Sequence, residues 1–365
     1  MEAKPEQEGN LVEEKTKRPV LEISERTKAE LTALFAGKEW NGEKLPPLFL
    51  KLFSGPHESA DDAKGIKPLL KDSDIYAPEL FGWDSGGVAL FREASDGTEA
   101  PAMGDDFYDE ILKQLSEIKK PVMFLDVSKE EGQSFPELYE EESFEWKLKR
   151  ASYEKALHVL SEGLVNSVPP IVIHREEYMI EHFAESVRNI ISENPELLNK
   201  KDIHILMSLG DGHSAIYHFL KQIGGENVSR EYKSNPLFGF ITEIIRRATF
   251  DKEITEDIKE KALCEFILSQ GLNHLIYRVT KDSCKVQELL RYYASQFTPE
   301  EIQSLYYRWK SRNTTATEAS MAFLKSKNIP FPENAADLDE ILKNTLFEKN
   351  LAIKNNFKEK NESDQ

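Results

Sequence analysis

Ile205-Leu206-Met207-Ser208-Leu209-Gly210-Asp211-Gly212-His213 is an apolar run that stops at Gly-Asp-Gly-His and passes into a helix-like segment over 214–223. A similar element stands earlier, where Leu48-Phe49-Leu50-Lys51-Leu52-Phe53 runs into Ser54-Gly55-Pro56-His57. Each reads as a strand that ends in a tight turn carrying one histidine. In an open α/β sheet the carboxyl ends of the strands form the ligand crevice, so strands far apart in sequence can bring both imidazoles to one site. The glycine beside each histidine lets the chain turn sharply and leaves room for a ligand or metal.

Around these two elements strand and helix patterns alternate. A helix is expected over 24–34, with Ser24 capping its first turn and Leu31, Leu34 and Phe35 forming its apolar stripe. Residues 46–53 read as a strand, 60–70 as a helix, and 74–80 as a second strand with Glu79 at its end. An amphipathic helix over 105–118 precedes Pro121-Val122-Met123-Phe124-Leu125-Asp126, which has the look of a buried parallel strand. A helix over 145–163, a strand at Pro170-Ile171-Val172-Ile173 and a helix over 175–193 follow. Such alternation is the signature of βαβ units. From 236 to about 351 it gives way to helical spacing, as in Phe238, Ile241, Ile244 and Ile245, with Thr298-Pro299-Glu300-Glu301 as a helix start and a break at 313–317.

The expected fold is therefore α/β, a mainly parallel or mixed central sheet flanked by helices, followed by a C-terminal all-helical module. The divisions are a charged, disordered tail over 1–17, an α/β domain over 18–235, a helical module over 236–352 and a second disordered tail over 353–365. Two stretches, 84–103 and 128–143, read as long loop insertions beside strand ends, placed as lids or as plain surface insertions.

With 47 Lys and Arg against 65 Asp and Glu, the formal charge of −18 opposes binding to nucleic acid or anionic lipid. Cys264 and Cys284 lack metal-ligand spacing, and so few thiols in 365 residues suggest a reducing compartment. The sequence carries no unbroken run of about 18 apolar residues to span a bilayer, and its acidic, polar start is unlike a secretory signal. The expectation is a soluble protein, cytoplasmic or delivered to a host cell without a cleaved signal. Neither Gly-x-x-x-x-Gly-Lys-Ser/Thr nor Gly-x-Ser-x-Gly occurs, so a P-loop and the usual α/β-hydrolase nucleophile are unsupported.

What remains is a polar cluster: His57 after the first strand, Glu79 after the second, Arg175 at a helix start, and His213 after the last strand. His57, Glu79 and His213 are metal-capable. Two neutral imidazoles and a carboxylate leave open positions on a divalent ion such as Mn, Co or Zn, where a bound water becomes a nucleophile. Arg175 can steady an oxyanion or a substrate carboxylate. Asp211 and Glu58 are weaker companions.

The order of these segments resembles the TraB/PrgY, Tiki, ChaN and erythromycin-esterase-like superfamily over residues 45–232. Residues 48–57 followed by 77–80 resemble its opening Gly-x-x-His and a strand ending in Glu-Leu. His174-Arg175-Glu176-Glu177-Tyr178-Met179 resembles its Arg-acid-x-x-Met helix start, and Gly210 to His213 its second Gly-x-x-His, with the helix and glycine beyond. Two positions depart from the pattern: Ser54 stands where the first motif has glycine, and Asp126 is followed by Val127 and Ser128 rather than Arg-Asp. The resemblance implies pseudo-repeated α/β halves and, for members that are enzymes, hydrolysis of a small-molecule or peptide substrate at a site built from both histidines and the glutamate; the Tiki branch is taken to be a metal-dependent protease. A rival expectation is a non-catalytic interaction or effector protein on the same scaffold, binding a protein partner through the helical module, with Tyr306, Tyr307 and Trp309 as first candidates.

Overall fold

Pairing begins with apolar segments too short to be stable alone. The computed structural model describes residues 21–344, except 40, 41, 43, 56, 58, 100, 133–143, 211, 234–238 and 312. The expected tails, residues 133–143 of the acidic insertion, Glu58 and Asp211 lie outside the described residues. The chain enters through α1 (Glu25–Phe35), whose cap Ser24 accepts from the Thr27 amide. Next come β1 (Leu48–Ser54), α2 (Ala60–Lys64) and α3 (Ile66–Asp72). The single helix expected over 60–70 is two, because Pro68 has no amide to bond the Lys64 carbonyl. Then follow β2 (Ile75–Pro78), α4 (Ser85–Ser95), α5 (Asp106–Ile118), α6 (Lys129–Gly132), α7 (Phe144–Arg150) and α8 (Tyr153–Glu193). β3 (Ile203–Leu209), α9 (Ala215–Gly224) and β4 (Val228–Tyr232) complete the α/β part. The remainder is helical: α10 (Phe240–Thr249), α11 (Glu256–Thr280), α12 (Ser283–Ser295), α13 (Pro299–Lys310) and α14 (Ala316–Ser326).

The four strands form one parallel sheet in the order β2-β3-β1-β4. That order has an internal twofold. Exchanging β1 with β3 and β2 with β4 returns the same sheet read from the other side, so each half is an inner strand followed by an outer strand two positions away. One face of the sheet, with Leu48, Leu50 and Leu52, packs on Leu31 and Phe35 of α1 and on Met179, Ile180, Phe183 and Val187 of α8. The other face, with Phe53, Tyr76 and Leu206, is covered by Ala63, Phe91, Phe107 and Ile111 from α2, α4 and α5. A buried hydrogen bond between Tyr76 and Ser208 (2.8 Å) ties β2 to β3.

Three further expectations change. Residues 170–173 are not a strand but part of the 41-residue α8. A short β-branched run bounded by proline fits strand or helix equally well, and the longer period decides: Ile173, Glu176, Ile180, Phe183, Val187 and Ile191 are all buried, three or four residues apart. Residues 121–126 pair with β2 through one isolated bridge at Val122, with Met123 N donating to Tyr76 O, rather than as a full strand. Within 84–103 lies the helix α4, capped by Asp84 through the Gly87 amide (3.0 Å); glycines in its first turn hid it.

A third apolar cluster fills the helical part, and it reaches back across residue 235. Leu148, Tyr153, Ala156 and Leu160 pack with Leu263, Ile267, Leu289 and Tyr306. The long helix α8 thus has one end in each core. By length and composition it is also apolar enough to cross a membrane, and 40% of the qualifying window is buried inside the protein.

Candidate functional site

β2, β3 and β1 are neighbours, so the turns that leave their carboxyl ends are neighbours too. Glu79 N donates to Ser208 O (2.9 Å), carrying the ladder one residue past β2 and fixing the direction of the Glu79 side chain. That carboxylate is the hub. Its Oε1 lies 3.0 Å from His213 Nε2 and accepts from Arg175 Nη2 at 2.7 Å. Its Oε2 accepts from the Gly210 amide and lies 3.7 Å from His57 Nδ1. A Cβ on Gly210 would sit 3.1 Å from Oε2, so the close approach of the β3 turn depends on glycine. Tyr108, from α5, donates its hydroxyl to the Glu79 carbonyl (2.6 Å).

Arg175 and Glu176 are adjacent on α8 and point to different partners, as residues about 100° apart on a helix must. Arg175 Nε and Nη2 form a fork on Asp126 (3.0 and 2.5 Å) while Nη2 also reaches Glu79. Nη1 takes part in none of these bonds. Glu176 places Oε1 3.3 Å from His213 Nδ1, an ion-pair distance outside hydrogen-bond alignment, and its Oε2 accepts from the Ile216 amide at the start of α9 (3.1 Å). His213 is therefore held between two carboxylates. His57 stacks on Phe107 with ring centroids 4.3 Å apart, and its Nε2 is buried with no hydrogen-bond partner among the described residues.

The four expected residues, His57, Glu79, Arg175 and His213, come together. Two members were not among them: Asp126, which ends the apolar run 121–126, and Glu176, the acid beside Arg175. The sequence signal for each was present, a carboxylate at an apolar segment's end and a carboxylate on a helix's buried stripe.

Burial and neighbours set the charges. Burial lowers the His57 pKa and outweighs the opposing pull of Glu79, leaving a neutral imidazole. Burial alone would lower His213 too, but Glu79 and Glu176 reverse this and raise it to about 9, so His213 is an imidazolium. Glu79 is held well below the usual carboxylate range: burial opposes this, and His213, Arg175 and His57 overcome it. Burial raises Glu176. Side chains of His213, Glu176 and Asp126 are 3% exposed or less, whereas those of His57, Glu79 and Arg175 are 12–14% exposed and form the accessible edge.

For a divalent ion this arrangement is a poor fit. Glu79 Oε1 is already engaged by Arg175 Nη2 and by His213 Nε2, so an ion there would have to displace both. Among the described residues, the ligand-capable atoms that all lie within 4.8 Å of one another belong instead to Asp62, Asp282 and Cys284, and the ammonium of Lys233 bridges the two carboxylates there. Cys264 and Cys284 are buried and form no disulfide.

Fold and site together define an α/β protein with an acid–histidine cluster at the carboxyl edge of a pseudo-symmetric parallel sheet. No family model, no curated protein and no solved structure matches the chain.

Proposed function

We propose that the chain is a hydrolase of the TraB/ChaN/erythromycin-esterase-like class that works by acid–base catalysis at His57, without a metal-bound nucleophile. The observation that carries this reading is the buried, unpartnered Nε2 of a neutral His57 beside the fixed carboxylate of Glu79. Glu79 favours the tautomer with the proton on Nδ1, which leaves the Nε2 lone pair free to accept a proton from a water once the rings around it part to admit water and substrate. The water oxygen bonds to a carbonyl carbon of the substrate, and Arg175 Nη1 faces the negative charge that develops on the carbonyl oxygen. The oxyanion then re-forms the carbonyl as the bond from that carbon to the leaving group breaks, and His57 returns the proton to the departing group. His213, Glu176 and Asp126 do not touch substrate in this scheme; they hold Glu79 and Arg175 in place.

A panel of aryl esters, lactones and short peptides assayed with and without a chelator tests the reading. Hydrolysis that survives chelation and falls about 100-fold or more in His57→Gln and Glu79→Gln supports it. Metal-stimulated hydrolysis by the intact chain would restore the metal reading; retained hydrolysis in His57→Gln would remove His57 from the reaction.

The second reading, a protein-binding scaffold, draws on Tyr307 of α13 in the helical module (49% exposed) and on Trp146 of α7, which precedes it in the chain (52%). Tyr306 and Trp309, first candidates for a partner-facing surface, are instead core residues, and the Tyr306 hydroxyl donates to the Leu148 and Ala151 carbonyls. Loss of hydrolysis in every assay, with partner capture weakened by Trp146→Ala and Tyr307→Ala, would favour this second reading.

A further inference from the structure

The internal twofold of the sheet assigns a counterpart to Glu79. Glu79 follows the outer strand β2 and donates its amide to Ser208 of the inner strand β3 (2.9 Å); Lys233 follows the outer strand β4 and donates its amide to Ser54 of the inner strand β1 (3.1 Å). Ser208 pairs with Pro78 as Ser54 pairs with Tyr232, so the two amides occupy the same place in the two halves. The side chains then do corresponding things. The Glu79 side chain crosses Gly210, in the turn that leads to His213; the Lys233 side chain crosses Gly55, in the turn that leads to His57, where an added Cβ would lie 3.2 Å from Lys233 Cβ. It continues past Gly65, where an added Cβ would lie 3.7 Å from Lys233 Cγ.

The Lys233 ammonium ends between two carboxylates. One belongs to Asp62, whose side chain is fully buried and accepts from Ser59 Oγ (2.8 Å), the capping residue of α2 two positions after His57. The other is Asp282, at 3.4 Å, which caps α12 in the helical region through the Cys284 and Lys285 amides. Removing the lysine would take the nearest cation away from a buried aspartate beside the His57 turn.

We propose that Lys233 is a positioning residue for His57, the second half's counterpart of Glu79, and that through Asp282 it makes the helical region part of the structure that places this histidine. The role does not depend on the hydrolase reading, because it is read on the imidazole itself. That the helical region is anchored here also explains why the only cluster with metal-ligand spacing among the described residues is closed by a lysine.

The test is nuclear magnetic resonance of the full-length chain labelled at histidine and phenylalanine, with His57 peaks assigned from a His57→Gln spectrum. The ring-to-ring contact between His57 and Phe107 serves as a ruler. Lys233→Ala should weaken that contact and displace the His57 ring nitrogens while leaving the His213 peaks in place, and Lys233→Arg should restore it. Asp282→Asn keeps a capping side chain on α12 but removes the charge, and should give a smaller displacement of the same peaks. A folded Lys233→Ala with an unchanged His57–Phe107 contact overturns the proposal. If Lys233→Ala does not fold, an unchanged contact in Asp282→Asn overturns it, as does an equal displacement of every histidine, which reports general loosening.

Discussion

Nε2 of His213 lies 3.0 Å from Oε1 of Glu79, and the opposite ring nitrogen faces Glu176 at 3.3 Å, so one buried imidazolium is balanced by two carboxylates from β2 and α8. This ties stability to pH. A histidine raised to about 9 from 6.5 contributes stability that is fully present below pH 6.5 and lost as pH rises through 9. Seen from Glu79, whose pKa is lowered, the same ion pair is lost as pH falls below the ordinary carboxylate range, and the two are one interaction counted once. The melting temperature should fall between pH 6.5 and 9 by an amount equivalent to roughly 3 kcal/mol, at 1.36 kcal/mol per unit. His213→Gln should flatten that limb. A wild-type profile without the decline would mean that His213 is neutral in the folded chain.

Two glycine substitutions separate site from scaffold. In Gly210→Ala the new Cβ meets Glu79 Oε2 at 3.1 Å, so the carboxylate must move away from His57 and His213. A shift of this size should lower the rate by about 10-fold and also take away part of the stability that the His213–Glu79 pair contributes. In Gly224→Ala the Cβ meets Val228 Cγ2 at 2.5 Å and Phe35 at 3.1 Å, both in the sheet core. That variant should lose about 1–3 kcal/mol in denaturant unfolding and keep its turnover per folded molecule. The reverse pattern would place the strain of Gly210 in the scaffold.

How far this could be seen in the sequence depends on which period carried the message. Apolar runs that end in Ser-Gly-Pro-His and Gly-Asp-Gly-His marked β1 and β3 with the turns beyond them, and Glu79 stood at the end of β2 for the same reason. The partners Asp126 and Glu176 stayed hidden because a buried carboxylate looks like a solvated one until topology supplies its cation. Residues 170–173 misled because four residues cannot distinguish a strand from a turn of helix, and counting Glu176 as buried would have extended the helical stripe through them. Lys233 was invisible for another reason: its role appears only when β4 is placed beside β1, a pairing between residues far apart in the chain.

Glu265 offers a test away from the site. It is buried on α11, its Oε2 accepts from the Phe240 amide at the start of α10, and burial raises its pKa to about 7, against the stabilising pull of that amide and of Arg291. A carboxyl raised in the folded state costs stability as pH rises from about 4.5 through 7, because the anion must be held in an apolar setting. Glu265→Gln keeps an acceptor for Phe240 and removes the charge. It should melt higher than the wild type at pH 8 and equally at pH 4.5; a lower melting temperature at pH 8 would show that the anion is needed to hold α10.

A chain ending at residue 235 should not unfold as an intact α/β domain. Such a truncation removes α10 to α14 but keeps α7 and the first part of α8, whose Leu148, Tyr153, Ala156 and Leu160 pack only in the helical cluster. Uncovering side chains of this size costs about 1.5–3 kcal/mol for each large one, a sum comparable with the whole stability of a typical domain. The cut also removes the Tyr306 hydroxyl from the Leu148 and Ala151 carbonyls at the α7–α8 junction, and Asp282 from Lys233. Calorimetry should therefore show a broad, low transition, with dye binding to exposed apolar surface. Restoring polarity at the uncovered positions, with Leu148→Gln and Leu160→Gln in the truncated chain, should reduce the dye binding. A sharp transition at the full-length temperature would mean instead that α8 is held entirely by its other end, against the sheet.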